Sequence, residues 1–189
     1  MKKVMYIDGN MVEFEIFPLV DSYHPVLREP TLPVDFEAVD KENLAYAVLS
    51  LMKSVEHYEG LGLSANQCGI QHRICVINHL EDKKVYALIN PRVIEKSEKI
   101  SRYKEGCLSF PGLFLEIGRP ESCVVEFQTA EGETRTMEFK GIWATCVQHE
   151  IDHLDGICYT DKVSPIKLDM AKRKVKANLR KIRRAVTGA

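Results

Sequence analysis

His149, Glu150 and His153 lie in the stretch HEIDH. Residues four apart share one face of an α-helix, so the two imidazoles can bind a single metal ion. Glu150 then lies beside whatever water that ion holds. The combination suits metal-assisted hydrolysis, in which the ion polarises a carbonyl and a carboxylate handles the proton. A surface helix carrying these residues for unrelated reasons is the competing reading. The preceding residues, Gly141 to Gln148, are largely apolar and predict a buried helix. Buried imidazoles and a buried carboxylate need partners, and metal ligation meets that need.

A catalytic metal site usually has three protein ligands and one open position. HEIDH supplies two. Zinc peptidases of the familiar kind take a third ligand, Glu or His, from beyond the motif, but residues 154–189 contain neither. What remains downstream is Cys158 and the aspartates Asp155, Asp161 and Asp169, none in a suggestive setting. Upstream, Cys107 stands in Glu105-Gly106-Cys107-Leu108-Ser109-Phe110-Pro111-Gly112. Glycine before it permits close backbone approach and proline after it marks a turn, so a thiolate there could reach the helix. A single cysteine is more often a small buried hydrophobe, and Cys68, Cys75, Cys123 and Cys158 are read that way.

The elements that must position these groups follow from periodicity. Residues 3–7 and 11–17 alternate around Asp8-Gly9-Asn10, a hairpin pattern, and Pro25, Pro30 and Pro33 space a loop after it. Apolar residues at 44, 48, 51, 55 and 58 predict an amphipathic helix over about 39–58 that ends at Gly60. Strands are expected at 73–79, 84–89, 92–102, 113–118, 122–128 and 134–139. The motif helix spans about 142–155 and stops at Gly156. Pro165 opens a last helix over 165–186 whose apolar positions 168, 171, 175, 179, 182 and 186 leave a basic outer face. Helix, then several strands, then helix predicts an α+β fold in which antiparallel or mixed sheets surround the HExxH helix.

Composition sets bounds on the rest. The chain of 189 residues, 45% hydrophobic and 28% charged, fits one domain over 1–189, with 1–20 an added N-terminal hairpin. Its six cysteines show no compact disulfide framework. The N-terminal stretch lacks an apolar targeting core and no segment approaches a membrane span, so a reducing, cytoplasmic setting is expected. The formal charge of −1 conceals an asymmetry, because residues 167–184 carry nine basic residues and one acid.

Three segments in order, GLGLSANQ, EGCLS and QHEIDHLDG, resemble the three signatures of the peptide deformylases. The likeness runs from about Tyr23 to Arg184. It departs at Ser64, where the family usually has alanine. The resemblance implies Cys107, His149 and His153 as metal ligands and Glu150 as general acid and base. It also implies oxyanion donors from the Gln67 side chain and the Leu108 backbone N–H. Glu105 takes a supporting role. Gly60 and Gly62 would let a substrate backbone approach, and Leu61, Ile142 and Cys146 would line a methionine pocket. The implied cofactor is Fe²⁺, with Zn²⁺, Ni²⁺ or Co²⁺ able to substitute. The implied substrates are N-formylmethionyl peptides on nascent chains, with ribosomal RNA contacted through the basic C-terminal helix. Neither a membrane nor DNA is expected as a partner.

Two other classes fit parts of the pattern. A metallopeptidase or other amide hydrolase would share the helix but use a different third ligand. A structural zinc module would close the fourth position with another Cys or His and have no use for Glu150.

Overall fold

The computed structural model describes residues 2–7 and 9–187. Its elements run β1 (Lys3–Ile7), β2 (Asn10–Phe14), α1 (Lys41–His57), β3 (Gly62–Ser64), β4 (Ile74–His79), β5 (Lys84–Lys96), β6 (Ile100–Cys107), β7 (Phe110–Pro120), β8 (Ser122–Gln128), β9 (Thr134–Lys140), α2 (Gly141–Leu154) and α3 (Pro165–Thr187). Every strand pairing is antiparallel. A five-stranded sheet has the order β3-β4-β5-β8-β9, and β1-β2 and β6-β7 form separate ribbons. The expected α+β class and single domain hold.

The strand β4, flanked by β3 and β5, explains why the sheet has helices on both faces. Its apolar run alternates sides, and both sides are buried. Cys75 and Ile77 pack with Leu88, Val125 and the α2 residues Trp143, Ala144 and Val147. Ile74 and Val76 pack with Ile89 and the α1 residues Leu44, Val48, Leu51 and Val55. Asp40 caps α1 by accepting from the backbone N–H groups of Glu42 and Asn43. The helix α2 is enclosed along most of its length, as its apolar lead-in predicted.

Several boundaries differ from the sequence reading. The segments 84–89 and 92–102 are not two strands: β5 runs through Asn90-Pro91 to Lys96. Asn90 takes a left-handed backbone, φ 51°, and the register shifts between Ile89 and Arg92. Its side-chain amide bonds Val34 on both sides, at 2.8 and 2.9 Å, and reaches Gln128 at 2.7 Å. A bulge thus carries the proline, which has no N–H for the ladder, without ending the strand. A turn follows, in which Ser97 Oγ accepts from the Ser122 N–H, and β6 begins at Ile100. The second hairpin strand stops at Phe14 rather than residue 17, because the Glu15 and Phe17 N–H groups donate to Ser50 and Ser54 of α1. Asp8 of the expected turn lies outside the described residues.

The last helix also departs from its pattern. Leu168, Ala171 and Val175 pack on the cluster around β7, but Leu179 and Ile182 are each 60% exposed. The side chain of Val186, the last apolar position expected, lies outside what is described. The first half of α3 is docked and the second half leaves the body. Replacing the fully buried Leu51 of α1 by alanine is expected to cost about 3 kcal/mol of unfolding free energy. Leu179→Ala should stay within about 0.5 kcal/mol. Urea denaturation followed by circular dichroism measures both.

Candidate active site and metal centre

Cys107 ends β6, where the register against β7 shifts between Glu105 and Cys107 and the chain turns back through Leu108-Ser109 to Phe110. His149 and His153 follow one another along α2. The thiol of Cys107 and the two imidazoles present ligand atoms within 4.8 Å of one another. Cys107 Sγ lies 3.2 Å from His153 Nε2. All six cysteines are free thiols, so Cys107 is available as a ligand.

A buried ion-pair network orients the nearer imidazole. His149 Nδ1 donates to Glu105 Oε2 at 2.9 Å, leaving Nε2 for the site. Arg119 holds Glu105 with two bonds, 2.5 and 2.9 Å, and reaches Asp152 at 2.6 Å, which Lys162 approaches at 3.0 Å. Glu105 and Arg119 are 6% and 4% exposed, so this network sits inside the protein. Burial alone would raise the Glu105 carboxyl, but Arg119 and His149 outweigh it and hold it below the ordinary value. Burial likewise works against charging His149, yet Cys107 and Glu105 reverse that and raise it to about 10. His153 is pushed well below its ordinary value by burial, with His149 and Arg119 adding to the effect.

Glu150 is 4% exposed and burial raises its carboxyl to about 7, against the lowering influence of His149 and Ser64. A carboxyl in that range can both take and return a proton at neutral pH. Gln67, in the short turn after β3, points Nε2 at Cys107 Sγ (3.3 Å) and Ser109 Oγ (3.4 Å). Asn66 ties the same turn to the end of α2 by donating to the His153 carbonyl at 2.6 Å.

Gln67, Cys107, His149 and Glu150 border a cavity of about 460 Å³. Its walls include Gly60, Leu61, Gly62, Gln67, Glu105, Cys107, Leu108, Ile142, Cys146, His149 and Glu150. His153, fully buried, lies behind it. Ile142 and Cys146 belong both to the wall and to the core cluster. Gly62 has a packing reason for being glycine beside the one the sequence suggests. A Cβ there would meet Glu150 Oε1 at 2.7 Å and Cys146 Sγ at 2.8 Å, so the helix itself demands the small residue. Arg119 and Asp152 escaped the sequence reading, since nothing in their spacing marks a salt bridge formed across 33 residues. The exposed ring of Phe114 at the cavity mouth escaped it too.

The donor set fits a thiophilic transition ion: one sulfur and two imidazole nitrogens converge, His149 is oriented by a carboxylate, and the cavity leaves one side open. A closed structural site would need a fourth Cys or His, and among the described residues no such donor joins the three.

The model of the family described as polypeptide deformylase matches residues 16–169. The chain belongs to that family. It is 40% identical over 162 residues to a peptide deformylase of Rhizobium meliloti, covering 84% of this chain and 91% of that one. A peptide deformylase crystal structure from Legionella pneumophila superposes with a TM-score of 0.79 at 30% identity, covering 89% and 98% of the two chains. One from Thermotoga maritima gives 0.73 at 35% identity, covering 80% and 99%. The deformylase resemblance read from three motifs is therefore confirmed, although the family match stops near the start of α3. As a deformylase the chain is a metal-dependent hydrolase that removes the N-formyl group from nascent polypeptides.

The buried network predicts a large effect from its centre. Arg119→Met takes the guanidinium from the buried Glu105, leaving it only the His149 imidazole, and is expected to cost about 3–5 kcal/mol. Arg92→Met, which breaks the exposed pair with Glu126, should cost less than about 1 kcal/mol. Chemical denaturation of the two variants gives the comparison.

Proposed function

We propose that Cys107, His149 and His153 hold the metal of this deformylase, that the ion is Fe²⁺, and that Glu150, Gln67 and the Leu108 N–H carry the reaction around it. The observation that carries the proposal is convergence: three soft-to-borderline donors, a buried carboxyl near neutrality and an amide N–H meet at one cavity. When bound, the cation supplies the positive charge that acidifies water and stabilises a developing oxyanion.

The side chains account for the rest. Glu150 accepts a proton from the attacking water and returns it to the departing amine, so that formate and a free N-terminus result. Gln67 Nε2 and the Leu108 backbone N–H donate to the oxygen that becomes negative at the tetrahedral stage. Glu105, itself gripped by Arg119, keeps the His149 ring in one tautomer. The methionine side chain enters among Leu61, Ile142 and Cys146. β3 pairs with β4 on one side only, and its other edge, beginning at Gly62 beside the cavity, suits an extended peptide laid down as an added strand. That geometry supports Gly60 and Gly62 as part of the substrate wall.

Residues 1–189 act as one catalytic unit in this reading, with the N-terminal hairpin an addition to it. The setting is cytoplasmic, the natural place for a nascent formylated chain, and no helix among the described residues is long and apolar enough to cross a membrane. Exposed basic residues on α3, including Lys172, Arg173, Lys176, Arg180 and Arg184, suit docking on ribosomal RNA.

Protein prepared anaerobically with Fe²⁺ should release formate from a formyl-Met tripeptide, and Glu150→Gln should lower kcat by about 10² to 10⁴. Activity should decay in air and return on anaerobic ferrous reconstitution. Cys107→Ser should lose metal in an elemental assay; a peptidase-type site with another third ligand would keep it. Truncation from Asp169 should abolish salt-sensitive co-sedimentation with ribosomes while tripeptide turnover continues. Unchanged co-sedimentation would remove the docking role.

A further inference from the structure

Ser64 is fully buried at the end of β3, at the head of the turn that carries Gln67. Two of its groups donate to the same atom. Its backbone N–H reaches Gln67 Oε1 at 2.9 Å, and its hydroxyl reaches that oxygen at 2.9 Å as well. The carbonyl end of the Gln67 amide is therefore pinned from two directions. An amide held at its oxygen must present its nitrogen to the other side, and here that side is the cavity, with Cys107 Sγ 3.3 Å from Nε2. The backbone N–H would exist for any residue but proline at position 64. The hydroxyl is the part that the alanine of the deformylase signature lacks.

The surroundings concentrate this effect on the reaction. Gly62, two residues earlier on the same strand, lies against Glu150. Ser64 thus acts on the amide from behind, lining neither the cavity nor the surface. Glutamine has three side-chain torsions, and its terminal amide is soft about the last of them. A second donor on Oε1 narrows that motion.

We infer that the Ser64 hydroxyl is a positioning residue for deformylation, locking the Gln67 amide so that Nε2 is presented to the developing oxyanion. The inference rests on the reading of Gln67 as an oxyanion donor. It locates the effect in the transition state, because a better-aimed donor strengthens the bond to a charged oxygen more than the bond to the neutral carbonyl of the bound substrate.

Four forms of the ferrous enzyme test it: the unmodified protein, Ser64→Ala, Gln67→Met and the double variant, each assayed on a formyl-Met tripeptide. Ser64→Ala should lower kcat threefold to tenfold with KM within twofold, and should lower nothing further in the Gln67→Met background. In zinc-loaded protein, the Gln67 side-chain amide protons, assigned by their absence from Gln67→Met, should exchange with water at least several-fold faster in Ser64→Ala. Unmodified kcat in Ser64→Ala, an equal loss in both backgrounds, or unchanged amide exchange would each overturn the inference. Full kcat in Gln67→Met would instead remove the oxyanion reading and this inference with it. An impaired Gln67→Met beside an unimpaired Ser64→Ala would remove the inference alone.

Discussion

A carboxylate buried with a guanidinium, Glu105 with Arg119, is the interaction on which the site depends. Charges of this kind are costly to take out of water, and each is tolerated only because the other is there. Through its partners the pair joins two elements that share no ladder. Glu105 and Arg119 both belong to the β6-β7 ribbon, while His149 and Asp152, which they hold, belong to α2. Cross-linking the ribbon to the helix brings Cys107 to the imidazoles. A well-packed apolar contact could dock the same elements, but it would leave the His149 ring free to rotate.

The layered core serves the same end. β4 is buried on both faces, so α2 is pressed against a strand that cannot shift without disturbing α1 on the opposite side. The glycine at position 62 then sets how closely that helix approaches the sheet edge. Glu150 and Cys146 occupy the space a side chain would need. Rigidity of this sort is what a preorganised electrostatic site requires, since donors that must reorganise during reaction lose much of their effect.

How much of this could be read from the chain alone follows from where each signal resides. HEIDH is local: its spacing puts both imidazoles on one helix face, and the chain shows it directly. Cys107 became visible by elimination and through its glycine and proline neighbours, and the three motifs together named the family. Gln67 came from the motif rather than from any physical pattern. Arg119 was invisible because a salt bridge has no period; its partner is chosen by the fold. The break at Asn90-Pro91 was misread because proline usually ends a strand, while here a left-handed asparagine and a bulge absorb it. α3 was misread differently. Its apolar stripe is continuous in sequence, but the β7 surface it packs on ends after Val175. Periodicity reports a helix that has an apolar face and says nothing about how far the supporting surface extends.

The unpaired edge of β3 bears on breadth of use. A strand edge offers backbone N–H and C=O groups, and these meet the part of a peptide that is the same in every protein. Side-chain selection can then be confined to one pocket reading one residue, the first. On the strand-addition reading proposed above, the enzyme is strict about the beginning of a chain and indifferent to its continuation. A single gene product can therefore service an entire proteome without adapting to any member of it.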